Sequence, residues 1–138
     1  MPPVGGASSR YGRRMIDFTS SSVFKLSHID PAEIAPQIGG LLIEGETILV
    51  AAKAVRDYIV FTDKRVIAVN VQGLTGKKKD CTSLPYSRIQ AWSVETAGTF
   101  DLDAELELWF SSLGKVRFEF RGSFDITYLG RLIASKVL

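Results

Sequence analysis

From Glu46 onward the chain alternates apolar and polar positions with a period of two, the pattern of half-buried strands. Ile48 to Val55 and Tyr58 to Thr62 are two β-rich runs joined by a tight turn at Arg56-Asp57. Val66 to Val71 follows a polar turn at Asp63-Lys64-Arg65, and Gln72 to Lys79 reads as a glycine-punctuated hairpin tip ending in three lysines. Cys81 to Tyr86, with Pro85 limiting its ladder bonds, and Ile89 to Glu95 come next. Leu106, Leu108 and Phe110 then alternate with Glu105, Glu107 and Trp109. Val116, Phe118 and Phe120 alternate with Arg117, Glu119 and Arg121, giving a wet face and a dry face. Two stretches switch to helical spacing. Asp30-Pro31 opens a short helix carrying Ile34 and Ile38, which Pro36 keeps short and Gly39-Gly40 ends. Asp125 caps a second, on which Ile126, Leu129, Ile133 and Val137 form one apolar stripe. The pattern predicts a mainly β domain of about seven antiparallel strands, a sandwich or small barrel with an open end covered by the C-terminal helix.

Composition narrows the function classes. The chain has 138 residues, 46% hydrophobic, with one cysteine (Cys81) and one histidine (His28). One cysteine excludes an intramolecular disulfide framework and multi-cysteine zinc sites. No stretch approaches the ~20 apolar residues of a spanning helix, and no secretory apolar segment opens the chain, so a cytoplasmic protein is the expectation. The net charge of +2 divides unevenly. Residues 1–14 hold Arg10, Arg13 and Arg14 without an acid and read as a flexible basic tail, leaving 15–138 as one nearly neutral domain. That balance excludes a nucleic-acid binder relying on a strongly basic surface.

The blocks VFTDKRVIAVNVQGLTGKKKD (60–80) and PYSRIQAWSVETAGTFDLDAELELWF (85–110) resemble the bacterial pleckstrin-homology-like (PH-like) domain family, over about residues 28–138. The resemblance implies a PH-like barrel capped by one helix and, as in some family members, ring-like homo-oligomers. It carries over no activity. Eukaryotic PH domains that bind phosphoinositides place several Lys and Arg on their first two strands and the loop between. Here the matching hairpin offers Lys53 and Arg56 with Asp57 beside them, and the third base is missing.

Two charged blocks are the candidate surfaces. Arg56, Lys64, Arg65, Lys77, Lys78 and Lys79 give the segment 56–80 a local charge of +3, suited to anionic lipid if their turns share one end. Its bland alternative is a solvated hairpin tip whose lysines discourage edge pairing. Glu95, Asp101, Asp103, Glu105 and Glu107 give 95–107 a charge of −5, with Trp109 as an apolar neighbour. The D-x-D-x-E run lacks the loop of an EF-hand, and no metal or cofactor is expected. The two blocks complement each other between neighbouring copies, which points to head-to-tail self-association, a ring, or a protein partner, with anionic membrane as the alternative. No nucleophile and base sit at usable spacing, so no enzyme is expected. Cys81, after Lys79-Asp80, has a neighbour that would lower its thiol pKa somewhat, but a lone cysteine opening a β-segment is expected to be just a small, semi-buried residue.

Overall fold

The computed structural model describes residues 25–138. The expectation for the 1–14 tail lies outside the described residues. In chain order the elements are β1 (Lys25–Ile29), α1 (Pro31–Ile38), β2 (Ile48–Lys53), β3 (Tyr58–Thr62), β4 (Arg65–Gln72) and β5 (Lys78–Pro85). They continue with β6 (Ala91–Glu95), β7 (Ala104–Phe110), β8 (Gly114–Phe120) and α2 (Ile126–Val137). One-turn helices at Gly39–Leu41 and Tyr86–Arg88 follow α1 and β5.

The strands form one eight-stranded sheet in the order β5-β4-β3-β2-β1-β8-β7-β6. This is the mainly β, PH-like architecture with a C-terminal helix that was expected, and it differs from about seven antiparallel strands closed into a barrel in two details. An extra strand, β1, stands in the middle, and it pairs parallel with β8 through Lys25 and Leu26 while Ser27 to Ile29 run antiparallel to β2. The sheet also does not close into a barrel, because β5 and β6 remain its two edges. The segment KLSHI buries only Leu26 fully, so it lacks the strand pattern in sequence. It is a strand because two partners supply its ladder bonds.

The two halves of the sheet face each other across the main core. Val50, Ala52, Ile59, Phe61, Val66 and Ala68 from one half meet Leu106, Leu108, Val116, Phe118 and Phe120 from the other. Helix α2 adds Ile126, Leu129, Leu132 and Ile133 to the same cluster. Asp125 caps it by accepting from the Tyr128 amide at 3.0 Å. Gly130 lets it close on β6, since a Cβ there would stand 3.0 Å from Val94 Cγ1.

Strand β3 is buried along its whole length because its other face is covered too. Ile34 and Ile38 of α1 pack with Ala51, Tyr58, Val60, Ile67 and Val69 in a second apolar cluster. Asp30 caps α1 through the Ala32 amide at 2.9 Å. Tyr58 is the odd member: its hydroxyl is buried without a hydrogen-bond partner among the described residues, and burial raises its pKa to about 12. A buried donor left unmade costs free energy that a hydrogen atom in its place would not. Tyr58→Phe is therefore expected to leave stability unchanged or raise it by about 1 kcal/mol in urea unfolding.

One end of the sheet is fastened by an ion pair. The Glu46 side chain, fully buried, accepts from Arg65 Nε and Nη2 at 2.9 Å each, from Thr62 Oγ1 at 2.6 Å and from the Ile43 amide at 3.1 Å. The same guanidinium donates to the Leu41 carbonyl at 2.7 Å and to Ser83 Oγ at 2.9 Å. The Arg65 hydrogen bonds, first of all, hold the Glu46 carboxyl down at about 2 against the opposing cost of burial. A carboxyl depressed this way stabilises the fold above its unfolded pKa near ~4.3, and that stabilisation is lost as pH falls toward 2. Glu46→Gln should cost about 3 kcal/mol at neutral pH, because it strands a half-buried guanidinium. The variant should also show a shallower loss of stability than the parent between about pH 5 and 2, as followed by urea titrations.

Candidate functional site

The charged residues singled out in the sequence fall on three separate parts of the sheet. Arg56 lies in the turn between β2 and β3, and it donates a short hydrogen bond from Nη2 to the Gly73 carbonyl in the hairpin between β4 and β5. These two turns are therefore neighbours. Gly73 and Gly76 both take positive φ, +74° and +69°, which shapes that hairpin and favours glycine. Only Lys77 belongs to the hairpin. Lys78 and Lys79 already pair with Gln72 and Val71 as the first residues of β5, which corrects their placement at the tip. All three lysines are exposed.

Lys64 and Arg65 do not join them. They sit at the turn between β3 and β4, the other end of β4, roughly 23 Å away for seven steps of extended chain. Arg65 is moreover occupied by Glu46, Leu41 and Ser83, and Lys64 lies 3.9 Å from Asp63. What gathers at the first end is instead Lys53, Arg56 and Lys77, beside a groove of about 690 Å³ along β1 that Lys25, Lys53, Val55 and Arg121 help to line. Asp30 and Glu33 line it as well, so the groove itself is close to balanced. Asp57, the acid next to Arg56, turns inward: it accepts from the Val71 amide at 2.8 Å and from Asn70 Nδ2 at 3.3 Å. The geometry thus removes the neighbour that neutralises Arg56 in the linear sequence.

The acidic block is split and largely answered within the chain. On β7, Glu105 and Glu107 alternate with buried Ala104, Leu106, Leu108 and Phe110, so they share the outer face with Trp109. Strand β8 sets bases diagonally across, since the register places Glu119 opposite Glu105 and Arg117 opposite Glu107. Glu105 reaches Arg117 in a short ion pair that lowers the carboxyl's pKa, and Glu107 pairs with Lys115 at 3.1 Å. Arg117 also reaches Glu119 at 3.3 Å. Trp109 is half-buried, with Lys115 Nζ 5.9 Å from its ring centroid. Asp103 pairs with Lys25 at 3.6 Å and its amide donates to Asp101 Oδ1 at 3.0 Å. Among the described residues, Glu95 at the exposed end of β6 keeps no ion pair. The −5 count holds only for the linear segment: the bases that answer Glu105 and Glu107 lie twelve and eight residues downstream on β8. A partner strand ten residues downstream was the available signal, and β7–β8 alternation carried it.

No three His, Cys, Asp or Glu side chains among the described residues converge as a metal site. His28 lies exposed on β1, its ring 6.0 Å from that of Phe124. Desolvation, then Asp80, raise the Cys81 thiol pKa and outweigh the lowering that Lys79 exerts. No helix of the described residues is long and apolar enough to cross a membrane.

A mostly antiparallel sheet whose two halves share one core, with a C-terminal helix packed on β6 and β7, defines a PH-like domain. The chain belongs to the bacterial PH domain family, whose model matches residues 17–137. It is similar to the uncharacterized protein YjqA of Bacillus subtilis strain 168, 52% identical over 85 residues, 62% of this chain and 68% of that one. Similarity to the uncharacterized protein YozO of the same organism is 39% over 74 residues, 54% of this chain and 64% of that one. Among solved structures, a protein with a pleckstrin-homology domain from Shewanella loihica PV-4 superposes with a TM-score of 0.72 at 37% identity, covering 83% of this chain and 99% of its own. A pleckstrin homology domain from Shewanella amazonensis SB2B gives 0.62 at 41% identity, covering 81% and 91%.

The outer-face pairs have a measurable role in stability. Charge reversal of Glu105 and Glu107 to lysine should lower unfolding free energy by about 1 kcal/mol, since it replaces the diagonal pairs with Arg117 and Lys115 by like-charge neighbours. Chemical denaturation of the double variant checks this.

Proposed function

We propose that this chain is a non-catalytic, self-associating module whose copies join head to tail through β5 and β6. The observation that carries the reading is the open sheet, with two unpaired edges on opposite ends of one strand order. An exposed edge presents unpaired amides and carbonyls, and strand addition from another chain satisfies them. Because the two edges differ, such a contact is heterologous and generates a closed ring or a filament.

Charge favours one alignment. Lys79 pairs across to Val71, a residue packed in the outer cluster, and Glu95 pairs across to Glu105 on the outer face of the other half. In the strand order β5 and β6 run in the same direction, so a contact between these two edges that keeps both outer faces on one side is parallel, and Lys79 and Glu95 then share that face. Opposite charges that neighbour each other across a ladder stabilise the contact. Glu95 replaces Glu105 and Glu107 as the steering acid, because those two are paired within the chain.

Absolute mass from light scattering at low and high salt tests the reading. A discrete oligomer that Glu95→Lys weakens by about tenfold in dissociation constant, with the fold intact by circular dichroism, supports it. A monomer at every salt concentration, the result expected if the edges serve a different protein, overturns it. So does an oligomer indifferent to Glu95→Lys.

A further inference from the structure

A buried donor goes unanswered among the described residues, and it lies beside the chain's single thiol. Tyr58, Val69 and Cys81 stand opposite one another across β3, β4 and β5, so their side chains share the outer face of the sheet. Tyr58 is 1% exposed, and its hydroxyl has no partner among the described residues. Burial comes first in raising its pKa and the charge of Cys81 adds to it, so the two groups feel each other across Val69. Cys81 stands exposed on an edge strand, within reach of small solutes. The neighbouring acid does not answer the hydroxyl: Asp80 points to the other face and accepts from Thr82 at 2.9 Å.

An orphaned donor costs stability in the state that orphans it, and phenylalanine would fill the same space without that cost. We propose that Cys81 is a site of oxidation by hydrogen peroxide, and that the Tyr58 hydroxyl is the donor that holds the product. The Cys81 thiolate attacks one peroxide oxygen. An S–O bond forms as the O–O bond breaks, and the departing hydroxide takes up the proton the thiol released, leaving as water. Sulfur gives up two electrons, and peroxide is reduced by them. The resulting sulfenic acid carries an oxygen beyond the sulfur, a far better acceptor than the thiol, and Tyr58 donates to it. Two features make the product a lasting one. The chain has one cysteine, so no second thiol of the same copy resolves it as a disulfide. Desolvation and Asp80 keep the thiol protonated, so oxidation is slow and the site answers sustained peroxide and not a brief pulse. The inference does not rest on self-association, since both residues belong to one copy.

The test treats the full chain, its Tyr58→Phe variant and a Cys81→Ser control with hydrogen peroxide at mildly alkaline pH, and reads sulfenic acid as the mass adduct of dimedone. The parent should form the adduct and Cys81→Ser should not. In Tyr58→Phe the sulfenic acid should pass to sulfinic acid about tenfold faster. Urea unfolding adds a readout that a packing role would not move. Tyr58→Phe is expected to be at least as stable as the parent when both are reduced, and the less stable of the two once both are oxidised. Absence of the adduct overturns the proposal, as does passage to sulfinic acid without a trappable intermediate. An equal lifetime in Tyr58→Phe, or a stability order that oxidation leaves unchanged, overturns it too, since Tyr58 would then not touch the product.

Discussion

The buried contact between Glu46 and Arg65 decides which end of this domain is rigid and which is free. One carboxylate and one guanidinium bring together the chain after α1, the turn between β3 and β4, and the middle of β5. Thr62 completes the join by donating to Glu46 and accepting from the Lys64 and Arg65 amides at 3.0 Å each. Tyr86, at the corner where β5 leads to β6, donates to the Thr62 carbonyl at 2.7 Å. An ion pair so enclosed contributes little net energy relative to apolar packing, because desolvation offsets attraction. Its value is geometric: both charges are satisfied only when four segments are in register. Slippage of β3 against β4 by one residue would leave a buried carboxylate unpaired, which is a steep penalty against the wrong register.

The opposite end has no such lock, and that difference organises the surface. There the β2–β3 and β4–β5 turns are held by backbone bonds, by Asp57 bonding into β4, and by Arg56 reaching across to Gly73. Charges at the locked end are consumed in holding the fold, so Arg65 is unavailable to any ligand. Charges at the open end remain in solvent. A fold that spends its buried ion pair at one end can leave lysines exposed at the other without weakening its core.

Much of this was legible in the chain itself. The alternation in β7 and β8 gave their faces correctly, because one wet and one dry side leave a period of two. Asp125 and the Ile126, Leu129, Ile133 stripe gave α2 for the equivalent helical reason. Strand β1 was hidden because its five residues bury one side chain fully and derive their order from two long-range ladders. The outer apolar cluster was hidden differently. Ile34 and Ile38 announced a packing helix, but a strand buried on both faces, as β3 is, reads only as a short apolar run. The charge blocks misled for one common reason: counting along the chain ignores the strand across. Arg65 was counted with the lysines although its partner Glu46 lies nineteen residues earlier, and Glu105 was counted free although Arg117 lies twelve residues later.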